Sequence, residues 1–146
     1  MVDFRVVVSD ASTGKAYQIE VSDTSANAFM GKAIGSEVDG STVGLSGYTL
    51  QITGGSDKGG FPMRRTLPGS KRKKLLVTGG SGFHPDEDGI RKRRSIRGNA
   101  IAGDIVQINT VVKDYGASPI ESMLGIGGAG DAGKGEGGES PEESAT

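Results

Sequence analysis

The chain has 146 residues and not one cysteine, which excludes disulfide bridges and thiolate metal centres. Histidine occurs once, at His84, and that removes most metal-binding and triad chemistry. No apolar run approaches the ~18 residues needed to cross a bilayer, so no membrane partner is expected. The start, "MVDFRVVVSD", lacks the basic segment and long apolar core of a signal peptide. These absences predict a soluble, cytoplasmic protein. The length suits a single domain with a real core.

What is abundant is charge, and it is unevenly placed. The formal net charge is −1, yet twelve of the 17 Lys and Arg side chains lie between Lys58 and Arg97, among three acidic ones. A polyanion responds to the local field within a Debye length of about 8–10 Å, so the overall balance conceals a strongly basic window. A single run of four would read as a solvated face. Two separate clusters inside one window point instead to nucleic acid.

Periodicity predicts strands. Phe4, Val6 and Val8 alternate with Arg5, and Tyr17, Ile19 and Val21 alternate with Gln18 and Glu20, with the turn-forming "SDASTG" between them. That is a β-hairpin pattern. A short helix should follow, capped by Asp23 or Ser25, with Ala26, Phe29, Met30 and Ala33 at helical spacing and Gly35 as its stop. "YTLQI" places Tyr48, Leu50 and Ile52 on one face, "KKLLV" is a further strand and "SIRG" ends another. In "DIVQINTVVKD", Val106, Ile108 and Val112 share a side with Thr110. Many short strands with glycine at the corners predict a mainly β fold, a small closed or nearly closed β-barrel with one or two short helices. An open sandwich is the alternative.

The segments "LQITGGS" (Leu50–Ser56) and "LLVTGGS" (Leu75–Ser81) echo one another, each trailed by an aromatic and a proline. Chance is the plainer account; the other is two equivalent hairpins that carry basic segments to one side. After Tyr115, "SPIE" has the form of a capping box with Pro119 at its first helical position, which allows a helix from Pro119 to Leu124. Residues 126–146 are glycine-rich, acidic and almost free of large apolar side chains, and so are predicted to be disordered. The expected plan is a binding domain over 1–115, a short helix or linker over 116–125 and an acidic tail over 126–146.

Two glycine-rich stretches fail as nucleotide loops. "GAGDAGKG" (Gly128–Gly135) has the G-x-x-x-x-G-K spacing, but Gly135 stands where Ser or Thr would bind magnesium. "ITGGSDKGGFPM" (Ile52–Met63) lacks G-x-G-x-x-G, and Pro62 prevents a helix from starting after its glycines. Gly54, Gly55, Gly59 and Gly60 instead offer backbone that another polymer can approach closely, or else a structural turn packed by Phe61 and Met63. Asp86, Glu87 and Asp88 without histidine make a weak magnesium site and a weaker acid–base pair. His84 reads as a loop-base residue, and Ser95 as a small residue between strand-edge arginines. No cofactor, metal, small-molecule substrate or catalysis is predicted.

The basic side chains are the candidate site: Lys58, Arg64 and Arg65, then Lys71, Arg72, Lys73 and Lys74, then Arg91, Lys92, Arg93, Arg94 and Arg97. They alternate with β-prone and glycine-rich pieces, which argues against a recognition helix in a DNA groove. Cations on loops and strand edges suit the phosphates of a folded RNA, read by shape. Eight phosphate contacts would give log K against log salt a slope of roughly −6. A protein-interaction module whose basic face meets an acidic partner would share the salt dependence but leave no footprint on a nucleic acid.

The stretch Ile52–Met63, followed by the basic segments and "RKRRSIRGNAI", resembles the small-subunit ribosomal protein six family shared by archaea and eukaryotes. That family's signature runs apolar, small, Gly-Gly-x-Asp-x-x-Gly-x-Pro-Met, and here Ile52, Thr53, Gly54, Gly55, Asp57, Gly60, Pro62 and Met63 fill its places. The likeness extends from the hairpin to about Lys113. It implies a structural protein with a small β-barrel core that binds small-subunit rRNA near the lower body of the subunit, beside neighbouring ribosomal proteins, without catalysis. Two features depart from the family. Pro85-Asp86-Glu87-Asp88 stands where members often carry further basic residues. The acidic tail replaces the long basic helix and phosphorylated serines of eukaryotic members, so archaeal-type length fits better.

Overall fold

In the computed structural model, which describes residues 3–124, seven strands form two sheets. The predicted hairpin is β1 (Asp3–Asp10) and β2 (Lys15–Ser22), paired antiparallel with Phe4 opposite Val21 and Val8 opposite Tyr17. Phe4, Val6, Val8 and Val21 are buried, so the alternation sets the core face as the sequence predicts. A five-residue helix, α1 (Asp23–Asn27), and then β3 (Glu37–Asp39) follow, with a 3-10 turn at Gly40–Val43. Neither Asp23 nor Ser25 caps α1; Ser22 occupies the cap position without a side-chain hydrogen bond. Ala26 and Phe29 enter the core, while Met30 stays 39% exposed.

β4 runs from Thr49 to Asp57 and β7 from Ile105 to Asp114, and between them lie β5 (Arg72–Val77) and β6 (Lys92–Arg97). The main sheet has the order β2-β1-β7-β4-β3, with β1 parallel to β7 and the other pairs antiparallel. Its inward face carries Tyr48, Leu50, Ile52, Ile108 and Val112. Among the described residues the remaining two strands form a separate two-stranded ladder with each other.

That pairing corrects the expected barrel. β2 and β3 end the sheet as edges, with no ladder between them among the described residues, while α1 and the 3-10 turn lie against β2. The strands that would have closed the sheet are too basic for the task. Six of the twelve residues of β5 and β6 have exposed Lys or Arg side chains, and a barrel strand must turn alternate side chains into an apolar interior. They form a separate ribbon over a satellite core of Leu67, Val77, Phe83 and Ile96.

Three register shifts interrupt the pairing of β4 with β7, the first between Thr49 and Leu50. Ile52 pairs with Thr110 and Gly54 with Asn109, leaving Thr53 as an extra residue on β4. Ser56 pairs with Gln107 and Asp57 with Ile105, leaving Val106 extra on β7. The shift at Val106 changes the side-chain parity, so Ile105, not Val106, is the fully buried residue. Thr110 sits on the core face at 1% exposure, its hydroxyl satisfied by donating to the Val7 carbonyl at 3.0 Å.

The predicted capping box does not close. α2 (Ile120–Leu124) forms, but Glu121 accepts from Lys15 Nζ at 2.8 Å and Tyr17 Oη at 3.1 Å instead of returning to its own helix. Ile120 is buried, and Tyr48 Oη donates to the Ser118 carbonyl at 2.6 Å, so this segment is docked on the main domain. The predicted disorder of 126–146 and the "GAGDAGKG" segment lie outside the described residues.

Candidate nucleic-acid interface

The ribbon positions the basic residues through its register. Arg72 pairs with Arg97, Lys73 with Ile96, Lys74 with Ser95, Leu75 with Arg94, Leu76 with Arg93 and Val77 with Lys92. Opposed residues share a face in an antiparallel pair, so Lys74, Ser95, Leu76 and Arg93 occupy the outward side. Leu76 there is 63% exposed. The other side holds Ile96, Leu75 and Val77 over the satellite core. Lys73, Lys92 and Arg94 run past this apolar layer to exposed heads, and the Arg94 guanidinium lies 5.5 Å from the Phe83 ring centre.

Other predicted cations flank the ribbon. Lys71 precedes β5, Arg91 precedes β6, and both are exposed, as are Lys58, Arg64 and Arg65. Arg64 donates from Nε to Thr66 Oγ1 at 2.9 Å. Arg65 lies along Gly35, where a Cβ would stand 3.2 Å from its Nη2. The acidic run Asp86–Asp88 and His84 are exposed on the connection between β5 and β6.

Two of the twelve cations are engaged elsewhere. Arg97 is 5% exposed and binds Asp104 through two 2.6 Å hydrogen bonds. Its Nε lies 3.8 Å from Asp57 Oδ2 and has no hydrogen-bond partner among the described residues. Arg72 donates from Nη2 to Asp57 Oδ2 at 2.8 Å and covers the Phe61 ring at 4.3 Å. Asp57 itself is 4% exposed, and its Oδ1 accepts the N–H groups of Gly59 at 2.9 Å and Phe61 at 3.0 Å. Burial pushes the Asp57 carboxyl up, but Arg72 and the Phe61 and Gly59 N–H groups outweigh it and hold it below 3.8.

The glycine-rich stretch is the joint between the sheets. Pro62 bridges to Ser56 and Met63 to Arg97. Met63 donates to the Gly55 carbonyl at 2.9 Å, Arg97 to the Pro62 carbonyl at 2.9 Å and Arg64 to the Arg97 carbonyl at 3.0 Å. A short extended piece is thus laced between β4 and β6. Gly55 permits this, because a Cβ there would lie 2.3 Å from the Gln107 carbonyl oxygen and 3.2 Å from Met63 Sδ. At Gly59 a Cβ would stand 3.0 Å from the Phe61 ring, and Gly60 turns with φ of 82°. Gly54 alone of the four faces open space with an ordinary φ. Sequence reasoning missed Asp57 and Asp104 as organisers of this joint. The signal was slight: an acidic residue inside the glycine-rich stretch, with a second seven residues beyond Arg97.

The family model for ribosomal protein S6e matches residues 4–125. Among similar chains is the small ribosomal subunit protein eS6 of Methanocella arvoryzae, 53% identical over 123 residues, covering 84% of this chain and 87% of the relative. The protein of the same name from Methanothermobacter thermautotrophicus is 53% identical over 122 residues, covering 84% and 95%. That of Halobacterium salinarum is 46% identical over 128 residues, covering 88% and 98%. With a joint, a basic ribbon and nearly the whole described chain inside this match, the chain belongs to the ribosomal protein S6e family.

Proposed function

We propose that this chain is a structural, non-catalytic constituent of the small ribosomal subunit, which holds rRNA through the exposed cations of the β5–β6 ribbon and its flanks. The observation that carries the reading is the clamped ribbon. Lys71, Lys73, Lys74, Arg91, Lys92, Arg93 and Arg94 are all exposed on or beside one two-stranded unit that Asp57 and Arg97 tie to the main sheet. Cations spread along a ribbon meet successive phosphates without reading bases. Lys58, Arg64 and Arg65 extend the surface toward the joint, whereas Arg72 and Arg97 serve mainly to fix it in place. Neighbouring ribosomal proteins are the expected further partners. Residues 1–115 form the binding unit in this reading.

Charge reversal of Arg91, Lys92 and Arg93 to glutamate tests it, because none of the three makes a salt bridge to a described residue. The variant should fold, as judged by circular dichroism, and be missing from small subunits on gradient sedimentation. Single neutralisation of Arg93 should make the salt slope shallower by about 0.7. Unchanged co-sedimentation of the triple variant would refute the proposal.

A further inference from the structure

The two Thr-Gly-Gly-Ser segments, which lie in different parts of the chain, meet in space. Thr53 of the first and Gly79, Gly80 and Ser81 of the second line one cleft of about 320 Å³ between the main sheet and the ribbon. Thr53 reaches it as the bulge residue of β4. The second segment reaches it because β5 ends at Val77, after which Gly80 and Gly82 turn the chain with φ of 105° and 86°. Arg64 and Arg65 stand exposed at the same cleft, while Met63 and Ile96, 7% and 2% exposed, give it an apolar floor.

The polar groups of this cleft are largely free. The N–H groups of Gly79 and Ser81 form no backbone hydrogen bond with a described residue, while Gly80 is paired with Phe83 in an isolated antiparallel bridge. Among the described residues Arg64 uses only Nε, toward Thr66, which leaves its two Nη groups for a ligand. Thr53 Oγ1 donates to the Asn109 carbonyl at 3.1 Å and keeps its lone pairs as acceptors. Two guanidinium groups and two backbone N–H groups suit a phosphate. Hydroxyl groups beside them, over an apolar floor, suit the ribose attached to it. The volume lies at the lower end of the range of about 300–1,000 Å³ for small-ligand sites. It can hold one nucleotide and cannot hold a duplex.

We propose that this cleft receives a single unstacked nucleotide of the bound RNA. Its phosphate lies on Arg64, Arg65 and the N–H groups of Gly79 and Ser81, and its 2′-hydroxyl faces Thr53 and Ser81. This inference rests on the rRNA-binding reading above and refines it. The ribbon grips phosphates wherever they run, whereas the cleft distinguishes a looped or bulged strand from a continuous helix.

The test uses the full chain, a small-subunit rRNA segment that it protects, and AMP as a free-nucleotide probe. Gly79→Leu is the informative variant: a Cβ there meets only Pro85 Cδ, at 3.8 Å, and φ is not left-handed. It adds bulk to the cleft wall and changes no charge. Ultraviolet crosslinks should join unpaired nucleotides to the peptides containing Met63–Arg65 and Gly79–Ser81. The variant should keep the parent's melting temperature and salt slope and bind the rRNA about tenfold more weakly. Crosslinks confined to β5 and β6, with Gly79→Leu binding like the parent, would overturn the cleft and leave the rRNA-binding reading standing. Failure of the parent chain to bind any rRNA would remove both. Protection of the cleft by AMP where the rRNA gives none would assign it to a free nucleotide and overturn the proposal as well.

Discussion

Replacing Asp57 with alanine should loosen the ribbon from the main sheet while leaving every exposed cation in place. The carboxylate takes hydrogen bonds from the N–H groups of Gly59 and Phe61 and from Arg72, and it faces Arg97 Nε at 3.8 Å. Removing one partner of a buried ion pair costs about 3–5 kcal/mol, because the other charge is left in a poor solvent. Two features moderate the figure here. The Arg72 side chain is 44% exposed and can return to water, and Arg97 keeps both 2.6 Å bonds to Asp104. The loss of an acceptor for the two N–H groups acts in the opposite direction. A net loss of about 3 kcal/mol is expected, which in a chain of this size lowers the melting temperature by about 10 °C. Amide exchange should locate the damage: protection falls first in β5 and β6 and only later in β1 and β7. Asp57→Asn, which keeps an acceptor for the N–H groups, should lose less. A melting temperature within about 2 °C of the parent, or protection lost evenly across both sheets, would refute the reasoning.

The glycines of the joint make a paired prediction. Gly55→Ala should cost about 3 kcal/mol, since its Cβ meets a backbone oxygen at 2.3 Å, whereas Gly54→Ala, with nothing within 4 Å, should stay within about 0.5 kcal/mol by denaturant melts. The acid side of the stability profile makes another. Asp10 is held at about 2, against an ordinary 3.8, chiefly by the Tyr115 hydroxyl and then by Ser12, with Thr13 adding a little. A carboxyl lowered on folding contributes stability that is complete above 3.8 and is lost as pH falls from there toward about 2. Tyr115→Phe should raise the Asp10 titration midpoint measured by NMR and move the onset of this loss to higher pH.

The strands were legible because each carries its own evidence. Phe4, Val6 and Val8 alternate in eight residues of sequence, and they are buried together in the structure. The closure of the sheet was not legible, because it depends on which distant strands pair, and alternation is silent about partners. The basic composition of β5 and β6 did hold the answer. A barrel interior needs one apolar face, and β5 and β6 put Lys73, Lys92 and Arg94 on the same face as Leu75, Val77 and Ile96. The bulges at Thr53 and Val106 were equally hidden. A strand read at constant period puts Val106 beside Ile108, and only pairing with β4 shows that Ile105 takes its place.

For the basic surface, composition located the region but could not sort its members. Arg97 follows Arg91, Arg93 and Arg94 in the same short stretch and differs from them only by pairing opposite Arg72, close to Asp57 and Asp104. That difference separates two kinds of residue. In the proposed reading an exposed cation such as Arg93 would supply one phosphate contact among several, so its loss would weaken binding by one increment. Asp57, Gly55 and the Pro62-Met63 piece hold the whole set of cations in register, so a change at any of them affects every contact together. The glycine-rich signature therefore builds the joint. Gly55 is there for the Gln107 carbonyl, Gly60 for its φ of 82° and Asp57 for two arginines from the ribbon. A motif with that duty tolerates little change, whereas the cations it positions can be exchanged between neighbouring sites with far less effect.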